Sequence, residues 1–211
     1  MDTIEPPTPD PASIAPPPPG WETTRDALHT LAEEVIAPAR HAVDQRIRMR
    51  WLPGGFGTPV FGDGQQIRVE GAELVFVGDG ASRREPLRVD PDAARWLGEF
   101  YAFVLAVLED LRRHVTADEP VLWPEHFDYA IAAGDESARA RANYGGSPGD
   151  EHHPEPYLYV GPWAAREGEL WNATGFSGAE LGLGELLGAE DPRALALEFF
   201  LTRAAALGAT S

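Results

Sequence analysis

The chain has 211 residues, and its 34 acidic residues outnumber its 17 basic residues to give a formal net charge of −17. Because it has no cysteine and all its basic residues are arginine, disulfides, thiolate metal sites, Schiff-base lysines and the P-loop lysine are excluded. A chain this negative repels the phosphate backbone, so we expect no nucleic-acid partner.

The N-terminal segment is rich in proline, with eight of the 20 prolines in residues 1–19. Such a segment favours polyproline II over a packed core, which predicts a disordered tail over 1–20 and a single globular domain over 21–211. The longest apolar run, Phe100 to Leu108, is far below the roughly 20 residues that cross a bilayer. The N-terminus lacks a signal peptide's apolar region. We therefore expect a cytoplasmic protein without a membrane partner. Its use of arginine without lysine is typical of a GC-rich bacterial genome.

The residue pattern of the first half of the chain predicts one helix followed by a β-meander. Apolar residues at helical spacing predict a helix from Thr23 or Thr24 to Ala39 that Pro38 ends. Residues 44–90 alternate and carry glycine-rich turn clusters, which predicts antiparallel strands. The strand segments are an alternating run around Arg46–Trp51, then Thr58–Phe61, Gln66–Glu70 and Glu73–Val77. Residues 53–57 predict a hairpin turn with close backbone approach.

Two Asp-Pro pairs mark helix starts in the second half, since Asp is a good N-cap and Pro fits the first helical position. Asp90-Pro91 opens a long central helix with a wide apolar stripe, and Asp191-Pro192 opens a C-terminal helix. Another helix is predicted at about Gly178–Leu187. Residues 119–175 predict strands at 121–132, 139–144 and 156–160. The fold class is therefore α+β, with antiparallel β-meanders packed against a long central helix and followed by C-terminal helices.

Half of the six histidines lie in two polar segments, 122–128 and 144–157. If 121–132 is one strand, His126 and Asp128 project from the same face, with His126 as general base or metal ligand and Asp128 as its orienter. Asp150, His153 and Glu155 add carboxylates and an imidazole that suit a divalent metal. A polar, capped loop without a metal is the alternative. No other cofactor is predicted.

Residues 145–149 match the G-x-S-x-G pattern of a nucleophile elbow. Pro148 follows the serine, and it has no N–H to donate to an oxyanion hole. No histidine lies beyond residue 153 to complete a triad. We therefore reject a serine hydrolase elbow and predict a tight turn.

Large aromatic residues recur through the second half. Tyr157 and Tyr159 share one face of a predicted strand, and Leu158 and Val160 share the other. If the Leu/Val face meets the core, the tyrosines face a cleft or another subunit. Aromatic walls are typical both of a small-molecule pocket and of an ordinary core. The candidate ligand contacts are Trp123, Tyr157, Trp171 and Asn172.

The motifs Trp-Pro-Glu-His-Phe-Asp, Ser-Pro-Gly-Asp and Pro-Glu-Pro-Tyr-Leu-Tyr-Val, followed by Trp171-Asn172, carry a resemblance across residues 120–180. In this order they resemble an uncharacterised, mostly actinobacterial family of roughly 200-residue proteins. The resemblance implies a single unit built around residues 123–172 and no particular activity.

Two hypotheses follow. In the first, the chain is a globular protein without an assignable activity, alone or as a homodimer, whose aromatic motifs form core and turns. In the second, it is a small-molecule hydrolase or binding protein with a His/carboxylate cleft near residues 123–157. The sequence leaves open whether the chain is an enzyme.

Overall fold

A computed structural model of the chain describes residues 10–209 and has an α+β fold with two antiparallel sheets. The predicted fold class is therefore confirmed. The helices are α1 (Trp21–Leu31), α2 (Ala37–Asp44), α3 (Pro91–Leu111), α4 (Leu183–Gly188) and α5 (Pro192–Leu207). The strands are β1 (Arg50–Leu52), β2 (Gly55–Gly57), β3 (Gln66–Glu70), β4 (Glu73–Gly78), β5 (Ala81–Pro86), β6 (Val121–Trp123), β7 (Asp128–Ala133), β8 (Ala142–Ser147), β9 (Tyr157–Pro162) and β10 (Ala179–Gly182).

The described chain divides into two compact units, where the sequence predicted a single domain over 21–211. Unit one comprises residues 15–102 and 121–127, and unit two comprises residues 10–14, 103–120 and 128–209. Helix α3 contributes its first part to unit one and its last part to unit two. Over residues 10–209, no helix combines the length and apolar character needed to cross a membrane.

Unit one contains the predicted meander as a sheet in the order β1-β2-β3-β4-β5. Strand β3 has the predicted bounds, and Ile67 and Val69 are buried as its alternation requires. The strand predicted at Thr58–Phe61 does not form, because the preceding segment, β2, pairs with β3 instead. A Cβ on Gly55 would lie 2.3 Å from the Val69 carbonyl oxygen, so this pairing requires glycine. The expected close backbone approach is confirmed there.

The helix predicted to end at Pro38 continues through it to Asp44. A proline inside an α-helix clashes with the carbonyl four residues earlier. The chain avoids that clash with a π-helical turn, Ala32–Ile36, after which the Ala37 N–H donates to the Ala32 carbonyl five residues back. The prediction of a helix end was wrong because it allowed only α-helical spacing.

Both predicted Asp-Pro helix starts are confirmed. The Asp90 carboxylate accepts hydrogen bonds from the Asp92 and Ala93 N–H groups, both at 2.9 Å. The Asp191 carboxylate accepts one from the Ala194 N–H, also at 2.9 Å. In contrast, the helix predicted over Gly178–Leu187 begins only at Leu183, because Ala179–Gly182 pairs with β9 as β10.

The strands of unit two follow one another in the order β10-β9-β8-β7 and are antiparallel. One face of this sheet is apolar and buried against the core, and we call it the core face. It carries Tyr129, Ile131, Tyr144, Leu158, Val160, Ala179 and Leu181. The opposite face carries most of the polar side chains, and we call it the polar face.

The tail predicted as disordered over 1–20 lies partly outside the described residues. In unit two, Ile14 is buried, and the Asp10 carboxylate contacts the Arg193 guanidinium. In unit one, the Ala15 carbonyl accepts a hydrogen bond from the Trp96 indole N–H at 2.7 Å. Residues 10–20 therefore make specific contacts in the structure.

Candidate functional site

The polar face of the unit-two sheet brings together side chains from four strands. Strand register places Ser147 opposite Tyr157, and both Gly145 and Glu180 opposite Tyr159. Asp128 begins the neighbouring strand β7. We call Asp128, Ser147, Tyr157, Tyr159 and Glu180, with His153 and Phe176 beside them, the polar-face cluster. All of these residues belong to unit two.

Asp128 and Tyr159 form the most buried part of the cluster. The Tyr159 hydroxyl donates a hydrogen bond to the Asp128 carboxylate, and Asp128 is only 6% exposed. Burial, together with the negative charge of Asp128, raises the pKa of Tyr159 well above its ordinary value. The tyrosine therefore stays protonated at neutral pH and remains a donor.

A glycine makes this hydrogen bond sterically accessible. A Cβ on Gly145 would lie 2.9 Å from atoms Cε1 and Cζ of Tyr159. The Tyr159 ring therefore packs directly on the backbone of strand β8 at Gly145. Gly146, the next residue, points to the core face, where a Cβ would lie 2.4 Å from Val104. The Gly-Gly pair thus allows close packing on both faces of one strand.

Tyr157 lies opposite Ser147 at the next register position, so their hydroxyls are neighbours on the polar face. Burial raises the pKa of Tyr157, with smaller contributions from the charges of Asp150, Asp128 and Glu180, while the Ser147 hydrogen bond lowers it. The Ser147 hydroxyl also accepts a hydrogen bond from the Gly149 N–H at 3.1 Å. Ser147 ends strand β8 and no helix follows it, which agrees with rejecting a nucleophile elbow. The tight turn predicted over 145–149 is wrong for residues 145–147, which are in the strand.

His153 extends the cluster from the loop before β9. Its Nδ1 lies 3.0 Å from the Glu155 carbonyl oxygen, and its Nε2 lies 3.6 Å from Glu180 Oε2. The ring also packs on Tyr157, with centroids 4.1 Å apart. With Nδ1–H donating to the carbonyl, Nε2 faces the carboxylate, and the two form an ion pair when the ring is protonated.

Glu180 combines a fixed backbone with an unsatisfied carboxylate oxygen. The Asn172 side chain donates to the Glu180 carbonyl and accepts from the Glu180 N–H, both at 3.1 Å. The amide therefore satisfies the backbone of edge strand β10 as another strand would. Glu180 Oε2, in contrast, is buried and has no hydrogen-bond partner among residues 10–209. An unsatisfied buried acceptor is costly, so a donor that reached this oxygen would be bound favourably.

Three aromatic rings line the cluster. The centroids of Tyr157, Tyr159 and Phe176 are 6.2 to 6.5 Å apart, which is the spacing of rings in direct contact. Phe176 can approach because Gly178 has no side chain; a Cβ there would lie 2.4 Å from Phe176 Cε2. The cluster thus combines an aromatic wall with several polar groups, as small-molecule sites do.

The predicted catalytic pair His126 and Asp128 does not share a strand face. A turn at Pro124–Phe127 interrupts the predicted strand, and Phe127 takes a positive φ of 50° there. His126 is exposed, whereas Asp128 is buried and bonded to Tyr159. The same-face prediction was wrong because it treated 121–132 as one strand although Pro124, which has no N–H for strand pairing, lies inside it.

The predicted ligand contacts fall in different places. Tyr157 lies in the polar-face cluster, and Asn172 holds the Glu180 backbone. Trp123 belongs to unit one, where the Arg48 guanidinium lies 5.5 Å from its ring centroid. Trp171 is half-buried, and its backbone N–H donates to the Gly168 carbonyl at 3.0 Å.

The predicted metal set receives no support from the geometry. The Asp150 carboxylate accepts hydrogen bonds from the N–H groups of His152 and His153, at 2.7 and 2.8 Å, and so closes its own turn. Glu155 is exposed and contacts His153 through its backbone. Within residues 10–209, no group of three or more histidine, aspartate and glutamate side chains is arranged to hold a metal ion.

Sequence reasoning identified part of the cluster and missed the rest. It named Asp128, Tyr157 and His153, and it placed Tyr159 on the same strand face as Tyr157. Leu158 and Val160 are fully buried, so the Leu/Val face does meet the core, as that argument required. It missed Glu180 as a site residue. Strand alternation in Ala179–Gly182 was the one available signal, and the sequence reading assigned those residues to a helix.

Comparisons of the chain with protein-family models, with curated proteins and with solved structures found no match. The resemblance to an actinobacterial family therefore stays a prediction.

Proposed function

We propose that the protein binds a small molecule at the polar-face cluster of unit two. The observation that carries the proposal is Glu180 Oε2, which lies beside an aromatic wall, is buried and has no hydrogen-bond partner among the described residues. His153 Nε2 lies 3.6 Å away, beyond hydrogen-bond distance, so the oxygen can still accept a hydrogen bond from a ligand. The ligand donates a hydrogen bond to this oxygen and places an apolar part against Tyr157 and Phe176.

The other polar groups of the cluster support binding more than hydrolysis. The Ser147 hydroxyl accepts a hydrogen bond from the Gly149 N–H and lies opposite Tyr157, so its neighbour is a neutral phenol rather than an imidazole base. The raised pKa values of Tyr157 and Tyr159 keep both hydroxyls protonated as fixed hydrogen-bonding groups. Such groups orient a ligand without requiring a chemical step.

A thermal-shift screen of small amines, amides and polyols on the full chain tests the proposal. Compounds that stabilise the wild type are then titrated against Glu180→Gln and Tyr157→Phe. We expect Glu180→Gln to weaken binding by at least about tenfold, because it removes a charged hydrogen-bond acceptor from a buried position.

Tyr144→Phe is the matched control for these variants. It removes one tyrosine hydroxyl from the core face of the same sheet and leaves the polar face unchanged. Binding should be the same as in the wild type. If no compound stabilises the protein, or if hits are indifferent to Glu180→Gln and Tyr157→Phe, the proposal is wrong.

A further inference from the structure

Unit one contains a separate hollow of about 400 Å³ beside helix α2, within the volume range of small-molecule pockets. It is open to solvent, since five of its eight lining residues are exposed. Most of its lining is apolar and comes from α2, the segment before β1, and the turn after β6. These apolar residues are Ala37, Pro38, Ala42, Ile47 and Pro124.

The polar lining of this hollow is mainly acidic. Glu33 and Glu125, which are far apart in the sequence of unit one, both line the hollow. His41 is the remaining polar residue of the lining. The guanidinium of Arg48 lies over the ring of Trp123, the residue that precedes Pro124. Arg48 is not part of the lining, so its positive charge does not enter the hollow. The hollow therefore offers two carboxylates to whatever occupies it.

The π-helical turn adds a backbone reason for an acceptor-rich lining. In this turn the Ala32 carbonyl accepts a hydrogen bond from the Ala37 N–H, five positions later. The carbonyl of Glu33 would take its hydrogen bond from Pro38, which has no N–H. Pro38 therefore supplies no backbone donor at this point of the helix, where Glu33 and Pro38 both line the hollow. Turns of this kind occur frequently at functional sites.

We propose that this hollow binds an organic cation, a protonated amine with a compact apolar body. The apolar lining takes the body, and the carboxylates of Glu33 and Glu125 with the donor-deficient turn receive the ammonium group. This site lies wholly within unit one and does not depend on the function proposed for unit two.

Three probes with one apolar body and different charges test the assignment. Phenethylammonium, phenethyl alcohol and hydrocinnamate are titrated separately into isotope-labelled full-length protein, and amide chemical shifts are followed by NMR. We expect saturable shifts at the lining residues with phenethylammonium, weaker binding of the alcohol and the weakest binding of the anion.

Charge variants locate the ammonium group. Glu33→Gln and Glu125→Gln should each weaken phenethylammonium binding about threefold to fivefold, the upper part of the range for a solvent-accessible ion pair. Glu34→Gln removes the same charge from the same turn, and because Glu34 is not in the lining, binding should not change. Replacing Ala42 by Trp should fill the hollow and abolish the shifts.

The assignment is overturned if phenethylammonium causes no saturable shifts at the lining residues, or if the alcohol binds as tightly as the amine. It is also overturned if Glu34→Gln weakens binding as much as Glu33→Gln, since attraction would then come from overall negative charge. None of these outcomes bears on binding at the polar-face cluster, which the Glu180→Gln variant tests.

Discussion

Two adjacent glycines determine the local geometry of the polar face. Gly145 leaves space for the Tyr159 ring, and Gly146 leaves space for Val104 on the core face. The sequence motif suggested a turn, and its actual role is close packing on both sides of a strand. The Tyr159–Asp128 hydrogen bond therefore depends on a residue that contributes no side chain.

Gly145→Ala tests this dependence. The new Cβ would lie 2.7 Å from the Tyr129 carbonyl oxygen and 2.9 Å from the Tyr159 ring, so we expect a loss of about 1–3 kcal/mol in unfolding free energy. Gly161→Ala is the control in neighbouring strand β9, because nothing lies within 4 Å of its added Cβ. Urea denaturation measures both. Equal stability of the two variants would contradict the packing account.

Tyrosine-to-phenylalanine changes on opposite faces should have different effects. Tyr159→Phe removes a hydrogen bond to a carboxylate, and we expect a loss of about 1.5–3 kcal/mol. The Tyr144 hydroxyl is buried without a hydrogen-bond partner among residues 10–209, so Tyr144→Phe should be neutral or slightly stabilising. Denaturant midpoints of the two variants make the comparison. A larger loss from Tyr144→Phe would be inconsistent with the two-face description.

At the scale of elements, capping residues predicted helix starts correctly, whereas other local patterns misplaced one helix end and one strand. The Asp90-Pro91 and Asp191-Pro192 starts are correct because N-capping depends on neighbouring residues alone. The Pro38 end is wrong because a π-helical turn, which needs context from packing, removes the clash. Strand β10 was taken for a helix because its pairing partner, β9, is about twenty residues away and supplies the hydrogen bonds.

Asn172 connects the loop containing Phe176 to the edge of the sheet. Asn172→Ala removes both hydrogen bonds to the Glu180 backbone, so the Glu180 amide should lose protection from hydrogen exchange. Asn172→Asp keeps the acceptor for that amide, so protection there should be largely retained. Native-state hydrogen exchange measures both variants. The same protection in Asn172→Ala as in the wild type would show that the side chain does not support strand β10.

At the scale of the whole molecule, the absence of lysine and cysteine simplifies alkaline titration. Only the five tyrosine side chains titrate between about pH 9 and 11, because arginine stays charged. Burial raises the pKa of Tyr144, Tyr157 and Tyr159 in the folded protein. Their ionisation is easier in the unfolded chain, whose tyrosines have a pKa of about 10.

The sign of the resulting pH dependence follows from linkage. Below pH 10 the tyrosines are protonated in both the folded and the unfolded chain, so their full contribution to the unfolding free energy is present. Above pH 10 the unfolded chain releases tyrosine protons first, so the unfolding free energy falls. Thermal unfolding from pH 8 to 11 should show this decline, and Tyr159→Phe should make it less steep. Stability that is constant across this range, with the protein still folded, would contradict the raised pKa values.

The candidate site could be predicted only in part, because strand register, not sequence proximity, assembles it. Tyr157, Asp128 and His153 were accessible from local patterns of aromatic and polar residues. Glu180 was not, because it reaches the cluster through pairing with Tyr159. The placement of His126 on one strand face with Asp128 was wrong, since a turn in which Phe127 has a positive φ separates the two residues.

The affinity of the best stabilising compound for Glu180→Gln, relative to the wild type and Tyr144→Phe, tests the central claim most directly. Calorimetric titration on the three purified full-length proteins gives the comparison. The account predicts at least about tenfold weaker binding to Glu180→Gln and unchanged binding to Tyr144→Phe. Equal affinity for all three proteins would contradict a binding site at the polar face.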